Sequence, residues 1–296
     1  MLSSFWDRQA LLDDVSVQFL RVLDALGGYC AIAQAQALKI GSSDREIRAR
    51  LKGLERLGFL RRVSLYPAVY QITKSVTRLL GRDSSSRRRH TLATVRARLL
   101  AITFYVEARE WPAEVVLDHG KKIATFLDAG CPLTALPHPG ARPYLREHFV
   151  LWLPDGRIGI AMVDQAHPSP LSQLRNLIRQ FLPLLRILRG ELDLLIVTGD
   201  QGRCHLYERL LARHPAIQKL GLGEYGARIK PFCVRSPAPK ITELIWPRPD
   251  LAEWLQERYK TSRALPISNS AKNTTARQAA KDSRLGQLPG SAEESE

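Results

Sequence analysis

Ser43-Asp44-Arg45-Glu46-Ile47-Arg48-Ala49-Arg50-Leu51-Lys52-Gly53-Leu54-Glu55-Arg56-Leu57-Gly58 decides how the first part of this chain folds. Ile47, Leu51, Leu54 and Leu57 recur at helical spacing, and Arg45, Arg48, Lys52 and Arg56 take another face. Ser43 and Glu46 form a capping box: the hydroxyl accepts from the third helical N–H and the glutamate reaches back. Gly58 ends the helix. Downstream, Phe59-Leu60-Arg61-Arg62-Val63-Ser64-Leu65 is strand-like, Tyr66-Pro67 turns the chain, and Val69-Tyr70-Gln71-Ile72-Thr73 returns. A further helix then runs from Thr73-Lys74 to about Leu80. Upstream, Val15, Phe19, Val22, Leu23 and Leu26 line one face of a helix that stops at Gly27-Gly28. A short second helix is expected over Ile32 to Leu38.

Three short helices, the third basic, followed by a two-stranded hairpin carrying arginines, resemble the winged helix-turn-helix superfamily. The resemblance implies that the third helix enters the major groove, where each base pair shows a distinct pattern of donors and acceptors. The expected DNA-binding residues are Ser43, Arg45, Arg48, Lys52 and Arg56 on that helix, and Arg61 and Arg62 in the wing. A solvated basic face is the plainer account of the same charges. The cap, the helix length and the hairpin together favour DNA.

Charge agrees with that reading. The 296 residues carry 44 Lys+Arg against 29 Asp+Glu, a net charge of +15, which points to a polyanionic partner. Between Lys39 and Arg98 there are 16 basic and 4 acidic residues, so about a fifth of the chain holds most of the excess. Arginine, with its planar fork, predominates over lysine. Cys30, Cys131, Cys204 and Cys233 are too widely spaced for a zinc site or a disulfide framework, so free thiols are expected. Met1 to Ala10 has no apolar run behind a basic stretch, and arginines interrupt Leu171 to Leu188. These features predict neither a secretory leader nor a membrane span, and a cytoplasmic protein that uses no cofactor and no metal.

The winged helix is expected over 12–80, with a basic linker at 81–90 whose Arg87, Arg88 and Arg89 can lie along phosphates. An α/β domain should occupy 91–259, and a disordered tail 260–296. Helical spacing resumes over Thr91 to Val106, with Arg96 and Arg98 on a separate face. Strands are expected at 115–117, 148–153, 157–163, 192–197 and 229–234. Helices are expected at 121–127, 171–188 (broken or kinked at Pro183), 202–214 and 251–259. The fold class is therefore mixed α/β, with the winged helix first.

The second part resembles a degenerate restriction-endonuclease-like core of the PD-(D/E)xK type. The match puts Asp155 of Pro154-Asp155-Gly156 at the first acid. The next strand ends Met162-Val163-Asp164 and supplies no acid-x-Lys, so catalysis is not expected. Gly199-Asp200-Gln201-Gly202 reads as a strand-to-helix turn, and His90, His119 and His148 show no local metal spacing.

With the winged helix, His90-Thr91-Leu92 opening a basic helix, and Pro154-Asp155-Gly156 before a strand ending Val163-Asp164, the chain resembles the replication-relaxation family, which includes MobC-type plasmid mobilisation proteins. Met162 stands where family members usually carry an acid. The resemblance implies a non-enzymatic accessory protein of a plasmid or integrative element. Its partners would be double-stranded DNA and a relaxase, recombinase or replication initiator, with a homodimer as a further option and no membrane. A transcriptional regulator with a ligand-sensing or dimerising second domain is the main alternative, and a metal-dependent nuclease the third.

Overall fold

The computed structural model describes residues 4–64, 66–81, 90–137, 145, 148–166, 168–220, 222–236 and 238–242. The arginine linker with Arg87, Arg88 and Arg89, the helix expected at 251–259 and the tail at 260–296 lie outside the described residues.

The first part is built from α1 (Phe5–Ala10), α2 (Asp14–Ala25), β1 (Tyr29–Ala31), α3 (Ile32–Ala37), α4 (Asp44–Arg56), β2 (Leu60–Ser64), β3 (Val69–Ile72) and α5 (Lys74–Leu79). The strands pair antiparallel in the order β1-β3-β2. This is a winged helix-turn-helix unit. Sequence spacing anticipates α2 to α5 and the hairpin but misses α1 and β1. A three-residue strand buried along its whole length offers no alternation to read. For α1 a weak signal exists, since Ser4 caps the helix by accepting from the Asp7 N–H at 3.1 Å.

The second part runs α6 (Leu92–Ala108), β4 (Glu114–Val116), α7 (His119–Asp128), β5 (Phe149–Trp152), β6 (Ile158–Val163), α8 (Pro170–Leu188), β7 (Leu192–Thr198), α9 (Gln201–Arg213), α10 (Pro215–Gln218) and β8 (Ile229–Cys233). The sheet order is β4-β5-β6-β7-β8, with β4, β5 and β6 antiparallel and β6, β7 and β8 parallel. Parallel neighbours need long crossovers, which α8 and α9 supply. The chain is thus mixed α/β. The helix α8 continues through Pro183, where a break or kink is expected from sequence. Pro183 and Arg179 are both exposed, so water can satisfy the carbonyl that loses its helical donor.

The two faces of the five-stranded sheet bury different sets. Phe149, Leu151, Ala161 and Val197 join the cluster that contains Phe104 of α6 and the winged-helix core. Val150, Ile158, Ile160, Leu194 and Ile196 join Leu174, Ile178, Phe181 and Leu185 of α8. Thus α6 lies against one face and α8 against the other. The helix α6 also packs on β1 and α3, and its Val95 and Leu99 meet Tyr29, Ala31, Val63 and Val69 of the small sheet. Only Ala93 and Arg96 of α6 are exposed, the pattern of a helix apolar nearly all round. It occupies the space between the two sheets, and residues 4–242 of the described chain lie within one compact unit.

Candidate nucleic-acid interface

The basic helix of the winged unit, α4, is fixed at both ends. At its start, Ser43 accepts from the Glu46 N–H at 3.3 Å. Glu46 closes the box one residue earlier than the sequence suggests: its carboxylate accepts from the Ser42 N–H at 2.7 Å and the Ser42 hydroxyl at 2.8 Å. These two bonds, with help from Arg50, hold the Glu46 carboxyl below its ordinary range. Arg50 reaches across to α2, pairing with Asp13 and donating to Ser16 Oγ at 3.2 Å. At the far end, Arg8 donates to the Leu57 carbonyl at 2.9 Å, placing a cation on the negative pole of the helix. Gly58 closes this corner beside the Arg8 guanidinium with a φ of +73°, a conformation that favours glycine.

The outward face is what the sequence indicates. Ser43, Arg45, Arg48, Lys52 and Arg56 are all exposed. Arg45, Lys52 and Arg56 fall within about 40° of one another around the helix axis and Arg48 lies just beside them, over a length of about 16 Å. None of these four cations makes an ion pair or hydrogen bond among the described residues. The Ile47, Leu51 and Leu54 face is buried, which fixes the rotation of the helix. An α-helix of these dimensions fits a major groove about 12 Å wide.

The two wing arginines part company. Strand residues alternate in direction, so Arg61 and Arg62 take opposite faces of the small sheet. Arg62 stands opposite Tyr70 in the register and donates to the Ser64 carbonyl at 3.3 Å. It lies on the face turned toward α4, where burial raises the Tyr70 hydroxyl against the pull of Arg62 and Arg48. Arg61 stands opposite Gln71, donates to its Oε1 at 2.9 Å, and lies near Tyr29 on the face covered by α6. The wing turn itself presents Tyr66, 87% exposed, beside Pro67. Sequence reasoning treats Tyr66 only as a turn residue. An aromatic beside a proline at the tip of a basic hairpin is the signal that could mark it as a contact.

Several cations of the basic stretch are engaged by protein groups. Arg98 donates to the Gly27 carbonyl at 2.7 Å, and Arg96 to the Ile241 carbonyl at 2.6 Å and 3.0 Å. With Arg50 they bind protein groups, so the clustered charge only partly belongs to a ligand-facing surface.

The carboxylates considered for metal chemistry are neutralised and apart. Asp155 accepts from Arg157 Nε at 2.5 Å, which holds its carboxyl below the ordinary range. Asp164, whose side chain is 2% exposed, takes both a guanidinium pair from Arg203 and the Ala166 N–H. The two acids flank β6 at opposite ends, about 20 Å or more apart at strand rise, and cannot share one ion. Among the described residues no group of three or more His, Cys, Asp or Glu side chains could hold a metal ion. His90 packs edge-on to Tyr29 while His148 packs on Phe181 in the α8 cluster, so the three histidines do not converge. At the Gly199–Gly202 turn, Asp200 itself accepts from the Arg203 N–H at 2.9 Å and fills the position an anion would take. The four cysteines are free thiols. No described helix is long and apolar enough to cross a membrane. Comparison with protein-family models, with curated proteins and with solved structures finds no match to this chain.

Proposed function

We propose that this protein binds double-stranded DNA by seating α4 in the major groove, with Arg62 and Tyr66 of the wing against the adjoining backbone. The observation that carries the reading is the row Arg45, Arg48, Lys52 and Arg56: exposed, without ion-pair or hydrogen-bond partners among the described residues, on a helix locked at both ends. A fixed helix loses little freedom on docking, and the charges gain by releasing condensed counterions. Ser43 at the helix start is placed to meet a phosphate through its hydroxyl proton, its oxygen already capping the helix.

Binding rather than catalysis is our reading of the second part, because each candidate carboxylate is held by an arginine. The finer role, assistance to a relaxase, recombinase or initiator at the origin of a mobile element, is supported by the likeness of the winged helix, His90-Thr91-Leu92 and Pro154-Asp155-Gly156 to the replication-relaxation family. The test is a titration of labelled duplex at several salt concentrations. Replacing Arg45, Arg48 and Lys52 with alanine should weaken binding at least tenfold and lower the salt slope by about three. No binding by the native chain at low salt, or an unchanged slope in the variant, defeats the proposal. A footprint at an origin rather than a promoter separates the accessory role from regulation.

A further inference from the structure

The long helix α8 carries a second row of cations that the reading above leaves unused. Between Asp164 and Glu191 the chain has no acidic residue and four arginines: Arg175, Arg179, Arg186 and Arg189. Leu174, Leu177, Ile178, Phe181, Leu184, Leu185 and Leu188 take the buried face. At helical pitch, Arg175, Arg179 and Arg186 then fall within about 40° of one another on the opposite side, along about 16 Å of axis. Arg179, Arg186 and Arg189 are exposed, Arg175 partly so, and none of the four has an ion-pair partner among the described residues. Other cations nearby are committed: Arg157, Arg228 and Lys230 all surround the buried Asp193.

The chemistry of the row selects its partner. Its only large exposed apolar side chain is Ile187, and it has no aromatic, so it lacks both the anchors of a protein interface and the stacking platforms of single-strand binding. The apolar face of α8 is sealed against the sheet, so the helix cannot lie in a bilayer surface. What remains is a row of guanidiniums on a packed helix, suited to phosphates repeating at short intervals.

Resting on the reading of α4, we propose that the outer face of α8 holds the phosphate backbone of a second double-stranded DNA segment, making the protein a bridge between two duplexes. The position requires two segments. The five-stranded sheet lies between α8 and α6, and α6 lies against the winged unit, so the α8 row faces away from α4. A straight duplex on α4 does not reach it.

The experiment uses the full chain, a bead-bound duplex and a second labelled duplex. The native protein should retain the labelled duplex on the bead, with strong salt dependence. Arg179→Glu combined with Arg186→Glu should bind a single duplex as the native chain does and lose at least tenfold in bridging. Arg179→Lys with Arg186→Lys should keep bridging, which separates lost charge from lost folding. Bridging equal to native in the glutamate variant overturns the proposal, as does retention of the labelled duplex only when an acidic protein is added. Single-duplex binding by the α8 glutamate variant that survives further loss of Arg45, Arg48 and Lys52 defeats the α4 reading instead, so the two failures are distinguishable.

Discussion

The side-chain amide of Gln34 on α3 donates to the Leu99 carbonyl on α6 at 2.6 Å and to Thr103 Oγ1 at 3.0 Å. Its oxygen accepts from the Ala31 N–H at 3.1 Å. One buried glutamine therefore ties the first helix of the helix-turn-helix to the helix between the two sheets. Gln34→Ala leaves the Ala31 N–H without its partner in a buried setting. We expect a loss of about 2 kcal/mol in urea unfolding. A midpoint identical to that of the native chain rules out this role.

Asp13 and Arg50 make the winged unit acid-sensitive. Hydrogen bonds from Ser16, together with the Arg50 guanidinium, hold the Asp13 carboxyl down at about 2. In the unfolded chain it returns to about 3.9. The ionised form is thus favoured by folding, so its stabilisation is complete above pH 4 and is lost as pH falls toward 2. Because the Asp13 side chain is 53% exposed, solvent screens the pair and the effect stays below about 1 kcal/mol. Asp13→Asn keeps the helix cap and should flatten the acid limb of a stability-against-pH curve between 4 and 2. An unaltered limb would place the acid sensitivity elsewhere.

Tyr29 is fully buried, and its hydroxyl has no hydrogen-bond partner among the described residues. Burial pushes the phenol up to about 12, against the pull of Arg98 and Arg61. A desolvated hydroxyl without a bond is unfavourable. Tyr29→Phe should leave thermal stability unchanged or raise it by about 1 kcal/mol. A clear loss of stability shows that the hydroxyl is bonded in solution.

Asp164 and Arg203 illustrate the opposite case. The carboxylate is 2% exposed and fully paired. Removing only the guanidinium strands a buried charge. Arg203→Met should cost about 3 kcal/mol, and adding Asp164→Asn should restore most of it. A double variant as unstable as the single one contradicts this account, which unfolding curves of the three proteins would reveal.

Patterned faces explain what was legible in the sequence. Ile47, Leu51 and Leu54 fix which side of α4 is buried, and so which side offers Arg45, Arg48, Lys52 and Arg56 to solvent. The five strands of the second part were visible because their apolar runs are bounded by turns. Partners distant in sequence were not visible. Nothing local says that Arg50 will find Asp13, or that Arg98 will reach the Gly27 carbonyl. The α6 apolar positions read as one face when they cover nearly the whole circumference. Finding that requires counting the residues that are not polar on the remaining side.

Arg61 and Arg62 test the interface most sharply, because adjacent strand residues of one type should behave differently. Arg62 shares a face with Tyr70 and Arg48 and donates to the Ser64 carbonyl of its own strand, whereas Arg61 donates to Gln71 under α6. Arg62→Ala should lower duplex affinity several-fold and reduce the salt slope by about one. Arg61→Ala should leave the slope as it is and destabilise the fold by about 1 kcal/mol, the usual contribution of one such bond. Paired measurements of binding against salt and of urea unfolding decide the matter. If Arg61→Ala lowers the slope as much as Arg62→Ala does, the DNA does not approach from the α4 side alone, and the docking geometry proposed here fails.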